Sequence, residues 1–281
     1  MTHAATTVTA TADADGPGTT STSWLLPIAS LWWREVIGFL RQRSRVVGAL
    51  GTPLIFWLVI GSGFGKSLAL EPAGPTESLH YLEYFFPGTL VLIVFFTAIF
   101  STISVIQDRQ EGFLQAVLAA PVGRSAIVLG KVLGSTTLAM MQAVLFLLVA
   151  PLVGIPLTIG SFLAVLGSLL LVSIGLSALG FLIAWPMESV QGFHAIMNVL
   201  LMPMWLLSGA AFPAGGASAW IRVAMAVNPV TYHVALVRHC LYLGSRPPAG
   251  SMPSLPVSLA ISGLLTLLSI ALAARAVART G

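Results

Sequence analysis

The chain has 281 residues, of which 57% are hydrophobic and 8% charged, with a net charge of +4 and one cysteine. An ordinary soluble domain carries roughly 25% charged residues, so this composition excludes a water-soluble fold and implies a surface turned largely to lipid. Cys240 alone excludes an internal disulfide, and His233 and His239 lie off a shared helical face, so no metal-ligand spacing is present.

Residues 1–23 are rich in Thr, Ala, Ser and Gly and contain no apolar stretch. Such a segment cannot bury enough surface to order itself, which predicts a disordered cytosolic tail and no cleaved signal peptide. From residue 24 to 45 the pattern turns amphipathic. Leu25, Ile28, Trp32, Val36 and Phe39 fall on one helical face, with Arg34, Arg41 and Arg45 on the other. This predicts a helix lying in the membrane surface, with Trp32 and Trp33 at the headgroup layer and Arg34 and Arg41 facing anionic lipid or an acidic partner. A plain anchor leading into the first span and a contact for a cytosolic subunit both fit this pattern.

Six runs with few or no charges follow, at 46–64, 84–106, 132–153, 162–185, 195–212 and 257–274. Each is close to the roughly 20 residues that cross the hydrocarbon layer. Without barrel-like alternation these runs must be helices, because only a helix satisfies its backbone groups within one segment in lipid. The predicted fold class is an all-α polytopic membrane protein with six transmembrane helices. Even span number puts both termini on one side, together with Arg34, Arg41, Arg43, Arg45, Arg109, Arg124, Lys131, Arg275 and Arg279. The other side keeps only Lys66, Arg222, Arg238 and Arg246, so the positive-inside bias places both termini in the cytosol.

After the first span, GSGFGKS at 61–67 imitates a phosphate loop, but the motif needs Gly at position 60, where Ile60 stands. Its glycines are expected in close packing and a turn.

Between the second and third spans, residues 107–131 hold Asp108, Arg109, Glu111, Arg124 and Lys131. Gln107, Glu111 and Gln115 recur at helical spacing opposite Leu114, Val117 and Leu118, and Pro121 ends the pattern. The spacing predicts one amphipathic helix, either seated in a groove of a soluble partner or simply solvated.

Span four sets Ser173, Ser177 and Gly180 on one face, which reads as helix packing. In span five Asn198 is a polar group inside an apolar run, Pro203 breaks helical bonding, and Met202 and Trp205 offer adaptable surface. These residues fit a translocation path, or a helix-to-helix hydrogen bond from Asn198 alone. Beyond it, Pro213 and Pro229 divide an outer loop into pieces too short to span, with Asn228–Pro229 as a helix boundary. Re-entrant half-helices fit, and so does an interfacial helix carrying Tyr232 and Tyr242 as belt aromatics.

The run Glu111-Gly112-Phe113-Leu114 followed by AAPVGRSAIVLGK resembles the segment after the second span of ABC type-2 exporter permeases. LSGAAFP at 207–213, then Trp220, then AVNPVTYHVALVR at 226–238 resembles the extracellular signature of that family. The resemblance covers nearly everything from residue 24 onward, and drug-resistance, nodulation-factor and surface-glycan export permeases share it. Phe113 and Gln115 depart from it, since many members carry a small Thr and an acidic residue there.

The resemblance implies a transmembrane domain over 24–281 and a docking helix for an ATP-binding subunit formed by Glu111, Gly112, Phe113, Leu114, Pro121 and Arg124. It also implies an outer gate at Asn228, Pro229 and Tyr232. The implied assembly has two copies of this permease and two ATP-binding subunits in the bacterial inner membrane, in contact with membrane lipids. It exports an amphipathic or lipid-linked substrate, with ATP and Mg bound by the partner and no cofactor, metal or nucleic acid by this chain. Two other classes are also weighed. A membrane-embedded enzyme would use His194, Asn198, Ser218 or His233, although Ser218 falls in the outer loop. A passive channel or scaffold would use 107–131 for regulation.

Overall fold

The computed structural model describes residues 25–64, 77–120, 122–245 and 252–279, and these residues are helical with no strands. The expectations for the tail at 1–23, for Pro121 and for the end of the GSGFGKS run lie outside them. The helices are α1 (Leu25–Arg41), α2 (Arg43–Phe64), α3 (Glu77–Ser101), α4 (Ile103–Gln110), α5 (Phe113–Ala119) and α6 (Arg124–Leu147). They continue as α7 (Ile159–Ala184), α8 (Val190–Leu206), α9 (Ala219–Val227), α10 (Pro229–Leu241) and α11 (Leu255–Ala278).

Among the described residues, four helical stretches are long and apolar enough to cross a membrane: Tyr81–Gln110, which joins α3 and α4, then α6, α7 and α11. The fifth predicted span corresponds to α8, which is apolar but only 17 residues long. The first falls in α2, where several side chains lie outside the described residues.

Helix ends depart from the apolar runs in a regular way. The third run starts at residue 132, yet α6 begins at Arg124, because the positive end of a helix can continue past the apolar core wherever its charges are paired. The fifth run extends to 212, yet α8 stops at Leu206, and the chain turns through Gly209 at φ 77°, a left-handed conformation that favours glycine.

α3 is the hub of the bundle: 83% of its spanning window is buried, against 22% for α11. Phe85, Phe86, Leu90, Val94, Phe95 and Ile99 are fully enclosed, whereas α11 turns Leu259, Leu264, Leu267 and Leu268 outward. In lipid no hydrophobic force drives helices together, so small residues that admit close approach carry much of the packing. Ser173 and Ser177 are buried as predicted, and a Cβ at Gly180 would stand 3.0 Å from the Ile99 Cα. At Gly175 it would meet Thr266 Oγ1 at 2.5 Å, which fixes how closely α11 lies on α7.

α1 is fastened to the bundle. Its buried face, Ile28, Leu31, Glu35, Val36 and Phe39, packs on α6. Gly130 and Gly134, one turn apart on α6, leave room for Leu31 and Glu35. Trp32 Nε1 donates to Thr137 Oγ1 at 2.9 Å, while Trp33 remains exposed.

Candidate functional site

Helix α4 runs on from α3 after a one-residue break at Thr102, whose hydroxyl donates to the Ile99 carbonyl at 2.6 Å. The amphipathic helix expected over 107–121 is in fact two. Gln107–Gln110 belong to α4, Glu111 caps it, and Gly112 at φ 77° breaks the chain before α5. The break rotates the face: Leu114 is buried, Phe113 and Val117 are partly buried, and Leu118 is exposed with Gln115 and Ala119. Leu118, expected on the apolar side with Leu114 and Val117, is thus turned outward.

Around this break the structure assembles charges that sequence reading did not connect. Arg34 of α1 reaches Asp108 through both terminal nitrogens, at 2.6 and 2.8 Å. Its guanidinium carbon lies 3.7 Å from the Phe113 ring centroid, so one side chain joins α1, α4 and α5. The hydrogen bond to Asp108 raises the affinity of this guanidinium for its proton above the ordinary value. Lys131 of α6 is 2% exposed and donates to Glu35, Asp108 and the Ser104 hydroxyl, the last at 3.1 Å. Two cations thus face two carboxylates, a neutral set in which a buried lysine is tolerable. A signal was available, since Glu35 interrupts the apolar face of α1 and Asp108 and Lys131 end apolar runs.

The same segment grips the rest of the bundle. Arg109 donates to the carbonyls of Trp185 and Met187 (the latter at 3.1 Å) and stands over the Trp185 ring, closing the end of α7. Gln110 Nε2 donates to the Glu188 carbonyl at 2.7 Å in the turn to α8. Arg124, the first residue of α6, donates to the Ala278 carbonyl at 2.9 Å at the end of α11. Glu111 is exposed, and Arg41 is exposed at the end of α1.

On α8, His194, Asn198 and Met202 are spaced by four and share one exposed face. His194 and Met202 line an apolar cavity of 420 Å³ whose walls include Phe56, Phe96 and Phe100. Trp205 is not on that face. It is 1% exposed, donates to the Gly88 carbonyl at 3.0 Å and packs edge-on against Phe56 and Phe85, because its position on α8 points into the bundle.

At the opposite end, α9 and α10 meet at a corner on Asn228. Its backbone is extended, its Oδ1 accepts from Val230 N at 3.0 Å, and its Nδ2 donates to the Met204 and Leu207 carbonyls at the end of α8. Pro229 occupies the first turn of α10, where its missing N–H costs nothing. Tyr232 donates from its hydroxyl to the Ala226 carbonyl at 2.8 Å, folding α10 back onto α9. The corner is therefore held chiefly by Asn228. Asn228→Ala is expected to lower stability by about 1–2 kcal/mol, through loss of a cap and of two tertiary bonds, and Pro229→Ala by less. Thermal unfolding of the detergent-purified variants checks the order, and a larger loss in Pro229→Ala would reverse the assignment.

The residues of an enzymatic reading are not brought together. His233 Nδ1 pairs with Ser262 Oγ at 2.9 Å, both fully packed between α10 and α11, while Ser218 sits at the start of α9 and His194 on the face of α8.

Comparison with known proteins places the chain in a family. Over 207 residues, 73% of this chain and 70% of the relative, the sequence is 27% identical to the transport permease ycf38 of Cyanophora paradoxa. It is 23% identical to nodulation protein J of Rhizobium leguminosarum bv. viciae, over 74% of this chain and 80% of the relative. To the daunorubicin resistance ABC transporter permease protein DrrB1 of Streptomyces coeruleorubidus it is 24% identical, over 75% and 73%. Residues 27–242, well over half the chain, match the family described as ABC-2 type transporter. With its several apolar helices, the chain is a multi-pass membrane protein that belongs to the ABC-2 type transporter family, as a transport permease.

Proposed function

We propose that this permease is the membrane subunit of an ATP-driven exporter, and that α5 is the element through which a separate ATP-binding subunit drives it. One observation carries the reading: the short stretch from Asp108 to Arg124 is bonded to α1, α6, the α7–α8 turn and the end of α11 at once. A push on α5 is thereby delivered to most of the bundle as one body. Leu114 anchors α5 inward, while Glu111, Gln115, Leu118 and Ala119 offer an exposed docking face. Phe113, the departure from the family pattern, gives Arg34 a ring to stack on.

The assembly in this reading has two permeases and two ATP-binding subunits, with ATP and Mg held by the latter. Each permease has six spans, counting α2 and α8, and both termini are in the cytosol. α1 is at the inner-membrane surface, and α9 and α10 are half-helices forming the outer gate. The cavity beside His194, Asn198 and Met202 lies on the path and, being apolar with aromatic walls, suits an amphipathic or lipid-linked cargo.

The test is co-reconstitution with the ATP-binding subunit. Glu111→Arg or Leu118→Glu should lower its affinity by about tenfold, the cost of spoiling one interface anchor, and reduce export in parallel while leaving insertion unchanged. Undiminished export and co-purification in both variants would remove α5 from the docking role.

A further inference from the structure

The cavity at the α9–α10 corner carries positive charge that nothing in the described protein neutralises. It encloses 320 Å³, and its walls include Tyr84, Gly209, Arg222, Arg238 and Met252. Arg238 is 2% exposed. Its Nη2 donates to the Tyr84 and Gly209 carbonyls at 3.1 and 3.4 Å, and its Nη1 reaches only the Met252 thioether at 3.3 Å. Its buried Nε has no acceptor among the described residues. Its guanidinium carbon lies 4.3 Å from the Tyr84 ring centroid. Among the described residues neither Arg222 nor Arg238 makes an ion pair, and Glu83, next to Tyr84 in the chain, does not line the cavity. A buried cation held by carbonyl oxygens and a thioether leaves an uncompensated charge, a costly arrangement unless an anion completes it.

The surroundings say which anion. On α9, Arg222, Met225 and Ala226 face the cavity, whereas Trp220, Val223 and Val227 form the opposite stripe and are 67%, 65% and 78% exposed. A short helix with an outward apolar stripe led by tryptophan suits the lipid interface, with its polar side at headgroup depth. We propose that this cavity binds the phosphate of an anionic lipid headgroup from the outer leaflet. The guanidinium groups of Arg222 and Arg238 donate to the phosphate oxygens on the cavity side of α9, while the opposite stripe of Trp220, Val223 and Val227 holds the helix at headgroup depth. Arginine suits this role because its planar fork matches phosphate oxygens. The site rests on the outer placement of α9 and α10 proposed above, but not on ATP-driven transport.

The experiment uses the isolated full-length permease without an ATP-binding subunit, so a failure of the coupling reading leaves it unaffected. Binding of phosphatidylglycerol and phosphatidylcholine is titrated in neutral detergent by native mass spectrometry, with millimolar inorganic phosphate as competitor. For Arg222→Gln, whose side chain is exposed and not part of the packing, the first phosphatidylglycerol should bind about fivefold more weakly, the worth of one cation near an anionic headgroup. Phosphatidylcholine binding should not change. Arg238→Lys, which keeps the charge and loses the fork, should also weaken binding. Arg275→Gln, which removes the same charge from the last turn of α11, should not. Equal phosphatidylglycerol affinity in wild type and Arg222→Gln would overturn the proposal, as would an equal loss in Arg275→Gln. Inorganic phosphate that displaces the lipid and by itself stabilises wild type but not Arg222→Gln would overturn the lipid source in favour of a free anion.

Discussion

Lys131→Met should be among the most damaging single substitutions in this chain, lowering stability by about 3–5 kcal/mol. Lys131 is the only recorded ion-pair partner of Glu35 among the described residues, and it shares Asp108 with Arg34. Removing the cation leaves Glu35, itself 9% exposed, charged against α6 with its counter-charge gone. Glu35→Gln alone should cost less, since Lys131 keeps Asp108. The double variant Glu35→Gln with Lys131→Met should recover part of the loss, because the stranded carboxylate is then neutral. A thermal-unfolding cycle over the four proteins isolates the coupling. Additive losses would mean that the pair is solvated and does not fasten α1 to α6.

Gly134→Val tests the same junction through shape. A Cβ at Gly134 would stand 2.5 Å from the Glu35 Cβ and 2.9 Å from its Cγ, and at Gly130 it would meet the Leu31 Cβ at 2.6 Å. A Cβ is tied to its backbone, so α1 must move as a helix and cannot answer with a rotamer change. Overpacking of this kind costs about 1–3 kcal/mol, and here it also lengthens the Lys131–Glu35 bond. Under the coupling proposed for α5, the expected phenotype is an inserted protein that fails to couple: α1 leaves α6, Arg34 is drawn from Asp108 and Phe113, and α5 loses one of its supports. Proteolysis within α1 should accelerate in Gly134→Val relative to wild type. Unchanged cleavage together with wild-type transport would show that α1 tolerates displacement. Gly51, by contrast, has open space where its Cβ would stand, so Gly51→Ala is the matched control for a glycine replacement.

Much of the candidate site was legible in the residues themselves. The Asn228–Pro229 corner is written locally, in a cap residue followed by proline, whereas the break at Gly112 fell inside what read as one helix. The partners of those residues were not legible. Arg34 read as a charge for anionic lipid or an acidic partner, yet it bonds a carboxylate of its own chain 74 positions away. Trp205 read as a path residue, yet its indole bonds Gly88 in the neighbouring helix. Asn198 and Met202, also read as path residues, are exposed on one face of α8.

By itself the sequence determined that this chain is helical and set in lipid, with charges gathered between the second and third spans. Hydropathy over twenty residues and the demand for internally satisfied backbone bonds act within a segment, so they need no knowledge of neighbours. Only the tertiary structure decided which charges are paired. Lys131 can be buried because α1 brings Glu35 and α4 brings Asp108, and α1 can come that close because Gly130 and Gly134 have no side chain in the way. Arg238 has no such carboxylate among the described residues, and that difference between two buried cations arises wholly from how separate helices meet.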